Sequence, residues 1–276
     1  MTMPDPGLFG PDSITWRVHG DPVLAVGGLR ALVLQALHPR AMAGVASHSG
    51  FRSDPWGRLQ RTAEYVGRVS FGTTEEAHRA AARVRGVHRK LTATDPEADV
   101  SFRIDEPELL LWVHCCEVDS FLTTVRRAGL PLTDDDAERY LAEQVLAATL
   151  VGLPAGAVPA SSADLSDYFS DVRPQLRLTA QARDAARFVL LPPMPAWVRW
   201  LTPARPAWGG LAGLGFALLP RWARRLYKLP GLPTTDAGAS AAVRTLRRSL
   251  LAVPASVRQG PHQKAARKRL AEPASA

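Results

Sequence analysis

The amino-acid sequence predicts an all-α fold, a single multi-helix globular domain. Three observations predict it. Alternating runs rich in Val, Ile and Thr are scarce, so strands have little to form from. Capping residues recur just ahead of segments whose apolar positions repeat every three to four residues. The 276 residues, 46% hydrophobic and 22% charged, suffice for one large core with a polar cover.

The elements follow in order. Residues 21–44 place Leu29, Leu32, Val33, Ala36 and Leu37 at helical spacing until Pro39 interrupts, with His38 at the break. Asp54 then Pro55 gives an N-cap with proline at the first helical position, opening a helix to about Val69. Thr73 and Glu76 form a capping box for a helix to about Leu91. The polar stretch 92–107, with Pro96 and Pro107, is expected to be a loop. ELLLWVHCCEVDSFLTTVRRAG is helical in period, and Gly129 stops it. Thr133 with Asp134, Asp135 and Asp136 caps the next helix, whose Tyr140, Val145, Leu146 and Leu150 run toward Gly152. Further helices are expected near 162–172, 180–191, 206–219 and 239–251, with a basic one after Pro254; PPMP at 192–195 is a turn.

Composition narrows the classes. Cys115 and Cys116 are adjacent, which on a helix prevents an unstrained bridge, so a reducing cytoplasm is the expected location. No run approaches about 18 uninterrupted apolar residues, and the first residues lack a charged-then-apolar signal pattern. The basicity is C-terminal: residues 221–276 hold 12 Lys/Arg against two acids, while residues 1–220 hold 22 against 24. We therefore expect an N-terminal extension at 1–14, the helical domain at 15–260 and a basic, disordered tail at 261–276. That tail is expected to be dispensable for the site and to bind no specific nucleic acid. AWGGLAGLGFALLPRWARRLYK, residues 207–228, reads first as a core helix with a polar end, and the alternative reading makes it a peripheral membrane element.

Four histidines, His38, His48, His88 and His114, have apolar neighbours. His88 shares a face with Val84, Val87 and Leu91, where a buried imidazole is either hydrogen-bonded to a carbonyl or free as a metal ligand. Arg58, Arg61, Thr62 and Tyr65 form one stripe at i, i+3, i+4 and i+7, which a solvated helix face would share. His114, Glu117 and Asp119 lie within WVHCCEVDSF, where a structural polar network is the default. Glu-x-x-His occurs once, at Glu75–His78, where a di-iron site needs two, and His-Glu-x-x-His, P-loop, dinucleotide-binding, Gly-x-Ser-x-Gly and Cys-x-x-Cys-His patterns are missing. A non-covalent cofactor, or none, remains.

GGLRALVLQALHPRAMAGVASHSGFRSDPWGRLQRTAEY, VRGVHRKL and DEPELLLWVHCCEVDSFL together resemble the bacterial oxygenase-like family grouped with rubber oxygenase (latex clearing protein) and the fungal ER-bound oxygenase of mycophenolic acid biosynthesis. The resemblance spans about residues 15–260 and is strongest over 27–122. It implies a helical domain enclosing haem b, with His88, the histidine of the VRxxH segment, as the proximal iron ligand. The family's Arg-x-x-Lys-Thr segment reads Arg58-Leu59-Gln60-Arg61-Thr62 here, so Arg61 stands where a lysine could ligate, and a guanidinium has no lone pair to give. The resemblance casts Arg58, Arg61 and Thr62 as the distal catalytic group. His88, Arg58 and His114 become the cofactor contacts, with His114 lining the pocket.

The expected function is thus a cytoplasmic haem oxygenase using dioxygen, an external reductant and an apolar small molecule, with oxidation or cleavage at a carbon–carbon double bond. Without a visible secretion signal, a small isoprenoid, lipid or natural product is expected in place of rubber. The alternatives are a haem-binding protein or dehydrogenase without oxygen insertion, and a cofactor-free membrane-surface protein. A Soret band in the purified protein separates the first two from the third.

Overall fold

The structure is a computed structural model and describes residues 4–48, 50, 53–95 and 97–271. Among them are fifteen α-helices and one two-stranded hairpin, so the all-α expectation holds. Helix α1 (Ile14–His19) starts where Ser13 accepts from the Trp16 amide, and Glu143 accepts from the Ile14 and Thr15 amides. Asp21 then turns the chain: it accepts from the Val23 amide and pairs with Arg247 at 2.7 Å. Helices α2 (Leu24–Gln35) and α3 (Pro39–His48) are parted at Pro39, whose ring cannot continue the hydrogen-bond ladder.

Caps fix the next two helices. Asp54 accepts from the Gly57 amide to start α4 (Pro55–Phe71), and a reciprocal Thr73/Glu76 box starts α5 (Thr74–His88). The stretch expected to be a loop instead contains β1 (Thr92–Thr94) and β2 (Ser101–Arg103), antiparallel with Ala93 opposite Phe102. Alternation in TAT and SFR sends Ala93 and Phe102 to one buried face against Ala43 and Leu109, a period too short to stand out in the sequence. Pro107 opens α6 (Pro107–Arg127), which ends before Gly129 at φ +85°, a left-handed conformation that glycine adopts without strain. A Thr133/Asp136 capping box opens α7 (Asp134–Leu150).

The second half continues with α8 (Ser162–Val172), α9 (Ala180–Leu190), α10 (Ala196–Leu201), α11 (Ala204–Ala217), α12 (Arg221–Leu226), α13 (Pro233–Leu251), α14 (Ala255–Arg258) and α15 (Pro261–Ala271). At the centre lies α2, packed on α6 at one side and α11 at the other. Two glycines permit this. A Cβ at Gly27 would come within 3.2 Å of Phe121, and one at Gly215 within 3.2 Å of the Arg30 backbone. Arg30 is itself buried in the seam, donating to the Leu218 carbonyl and Ser120 and pairing with Asp119 at 2.8 Å.

The 207–228 stretch is core, as its first reading has it, since Ala212, Phe216, Leu218, Leu219 and Ala223 are buried under their neighbours. One expectation is corrected here. The tail is ordered through Ala271: α15 lies on α4, buries Ala266, pairs His262 with Glu64 at 2.8 Å, and sends Arg269 to the carbonyls of Asp5 and Phe71. Small residues at 265 and 266 let a basic helix approach closely enough for its arginine to reach backbone acceptors. Residues 272–276 lie outside the described residues.

Candidate functional site

One cavity of about 520 Å³ lies between helices α1 to α7 and the hairpin, a size typical of cofactor and ligand sites. Arg58, Arg61, Thr62, His88 and His114, the residues singled out from the sequence, all line it. Helical spacing explains the convergence: α4 aims its 58, 61, 62 and 65 stripe inward, and α6 does the same with His114 and Glu117, one turn apart. Most of the remaining lining is aliphatic, including Val45, Val66, Val69, Val84, Val113 and Leu110.

His88 occupies the last turn of α5. Its face partners Val84, Val87 and Leu91 line the cavity with it, where the sequence had them entering packed core. The ring has no hydrogen-bond partner among the described residues, so the reading of a core histidine satisfied by a carbonyl fails. Burial lowers its pKa, with Asp105 opposing, which favours the neutral ring, and both nitrogens are uncommitted among the described residues. His114 is likewise partnerless, and burial lowers its pKa to about 4.

The arginine pair divides. Arg61 sits at the rim and meets Asp54 at 3.1 Å. Arg58 has no carboxylate or hydrogen-bond acceptor among the described residues; burial and then the neighbouring Arg61 charge lower its pKa, yet a guanidinium stays protonated. A buried cation without a counter-charge is costly, and the structure offers the cavity side as the place for one. The Thr62 hydroxyl donates to the Arg58 carbonyl at 3.1 Å, leaving its oxygen free to accept.

Two polar groups were underrated or missed. Glu117 joins no structural network among the described residues, whereas Asp119 does, through Arg30 and Thr123; Glu117 is half-buried on the cavity wall, and desolvation there raises its pKa to about 7. His19 was not weighed, because its short helix ITWRVH has too few turns to show a period. It lines the cavity floor with Ser70, bridging the Ser70 hydroxyl at 2.5 Å and the Tyr140 hydroxyl at 3.0 Å, and burial lowers its pKa to about 3. His38 belongs elsewhere, accepting from the Ala41 amide at the start of α3 and packing on Trp112. His48 lies on the cavity wall and bonds the Thr92 carbonyl of the hairpin.

A narrower apolar channel of about 100 Å³ adjoins the cavity, sharing Leu32, Gln35, Val45, Arg58, Thr62 and Val113 with it. It runs past Met42, Leu59 and Phe188 to the indoles of Trp56 and Trp208, which meet edge to face with centroids 4.9 Å apart.

Residues 16–250 match the family model described as ER-bound oxygenase mpaB/B'/Rubber oxygenase, catalytic domain. No curated protein and no solved structure matches the chain. With most of its length matched and the quoted motifs gathered around one cavity, the chain belongs to the mpaB/B' and rubber oxygenase family, and this helical domain is an oxygenase catalytic domain.

Proposed function

We propose that the protein is a haem-b-dependent oxygenase of a small apolar molecule. The observation that carries this is the pairing, in one cavity, of an imidazole with uncommitted nitrogens and a half-buried guanidinium with no counter-charge among the described residues. That donor set suits haem b, which needs one strong nitrogen ligand and cationic partners for its propionates. It does not suit a multi-ligand metal site: no group of three or more His, Cys, Asp or Glu able to hold an ion occurs among the described residues. His88 would hold the iron, and Arg58 would face an anionic group of the cofactor or the developing negative charge of the reaction. When bound, haem supplies the redox chemistry with dioxygen.

This chain's own residues do the rest. The valine and leucine walls exclude water and favour an apolar substrate. Arg61 and the Thr62 oxygen add a donor and an acceptor on the α4 side. Glu117 keeps a proton on its carboxyl up to about pH 7 and can give it to, or take it from, a group in the cavity. Family kinship favours oxidation or cleavage at a carbon–carbon double bond, with electrons from an external reductant. A cytoplasmic setting is part of the proposal, in keeping with two buried free thiols. No helix among the described residues is long and apolar enough to cross a membrane.

The test is optical. The purified protein should show a Soret band that shifts with dithionite and then carbon monoxide, and His88→Ala should lose most of its haem. A protein that takes up no haem, or a His88→Ala variant with unchanged haem content and spectrum, overturns the assignment.

A further inference from the structure

Beside the Trp56 and Trp208 end of the channel lies an apolar exposed surface. Beyond α9 the chain leaves Leu191 60% exposed, and in α10 Trp197 is 64%, Trp200 72% and Leu201 81% exposed. Surface tryptophans scattered singly need no explanation, but four large apolar side chains within eleven residues form a patch. The segment that leads into it is tied to residues lining the channel. Trp56 donates its indole N–H to the Pro193 carbonyl at 3.0 Å, Trp208 donates to the Val189 carbonyl at 2.8 Å, and both indoles line the channel.

Charge identifies the occupant. Residues 185–235 contain seven Lys/Arg and no Asp or Glu, and the bordering Asp184 and Asp236 are taken up by Arg187, Arg221 and Arg224. Arg199 and Arg205, both exposed within or beside α10, have no carboxylate partner among the described residues, and Arg199 lies 5.1 Å from the Trp200 ring centre. A second copy of this chain would bring like charges together across a twofold contact, with no acid in the segment to offset them. Indoles flanked by arginines instead match the boundary layer of an anionic bilayer, where the ring sits among headgroups and the cation meets phosphate.

We infer that the Trp197–Trp200–Leu201 face of α10 docks on an anionic lipid bilayer and sets the apolar channel open to it. The substrate then leaves the lipid phase through the gap beside Trp56 and Trp208 without crossing water. This deepens the proposed function by naming a membrane-dissolved substrate, but docking is read without haem or turnover, so its failure would leave the haem assignment intact.

The experiment is co-sedimentation of the full chain with vesicles of phosphatidylcholine alone and of phosphatidylcholine mixed with phosphatidylglycerol, with tryptophan emission followed in parallel. Binding to the mixed vesicles with a blue-shifted emission is expected. Trp197→Ala with Trp200→Ala should weaken it about tenfold or more while leaving the helical circular dichroism unchanged. Arg199→Glu with Arg205→Glu should remove the preference for the anionic lipid, at about fivefold per charge, and salt should weaken wild-type binding. Absence of binding to either vesicle overturns the inference. So does wild-type-like binding by the double tryptophan variant, or a dimer that this variant converts to monomer.

Discussion

Arg58 and Arg61 stand on one face of α4, yet only Arg61 has a carboxylate within reach. Residue spacing in the sequence shows the shared face and cannot show that difference, because Asp54 meets Arg61 only through the geometry of the first turn. The consequence is a division of labour: Arg58→Ala should retain haem and slow turnover by about 10²–10³, the usual cost of one preorganised donor. Steady-state kinetics with haem content held equal checks it, and unchanged turnover would move the anion-facing role away from Arg58. Glu117 is a second case. Its pKa rises from 4.5 to about 7, so in that window the folded protein holds a proton that the unfolded chain has lost. Stability therefore falls as pH rises from 4.5 toward 7 and levels off above. Glu117→Gln removes this slope, and wild type should lose about 3 kcal/mol more than the variant across the window. Urea unfolding of both proteins measures it; parallel curves would mean the carboxyl is compensated. The sequence marks Glu117 and His114 as neighbours on a helix, but burial without a partner is a property of what the other helices fail to bring.

Caps are the most legible elements. Asp54, Thr73, Thr133 and Gly129 each carry their instruction within a few residues, and α4, α5, α6 and α7 start or stop where those instructions say. Elements shorter than two turns, such as α1 and α10, carry too few residues for a period and were not foreseen. The case of α15 is different in kind. Its composition reads as solvated, yet its stability comes from Arg269 at the Asp5 and Phe71 carbonyls and from Ala266 against Trp16 and Phe71, partners nearly 200 or more residues away in sequence. Arg269→Ala should cost about 2 kcal/mol in urea unfolding, the scale of charged hydrogen bonds to backbone acceptors. No change would show that α15 rests on α4 without holding it. Because α4 carries Arg58, Arg61, Thr62 and Tyr65, truncation after Pro261 should also weaken haem retention, against the expectation drawn from the tail's charge alone.

At the scale of the whole molecule, the all-α class and the residue types of the site were legible, whereas the cavity was not. It exists because seven helices, α1 to α7, and the hairpin leave a space between them, and no local pattern encodes a space. The family kinship narrows the chemistry to oxygenation, and the structure adds which side chains face that space without partners. The central position of α2 has a consequence in time. Its two faces are covered by α6 and by α11, and α11 ends at Ala217, 182 residues after α2 ends at Gln35. At ~5–20 residues per second of synthesis, the α11 side of this helix stays uncovered for roughly 10–40 s on the ribosome. During that interval Leu29 and Arg30, the residues on which Gly215 packs, are open to water. A nascent chain stalled before Gly215 should therefore be a client for holding chaperones, and release should follow completion of α11.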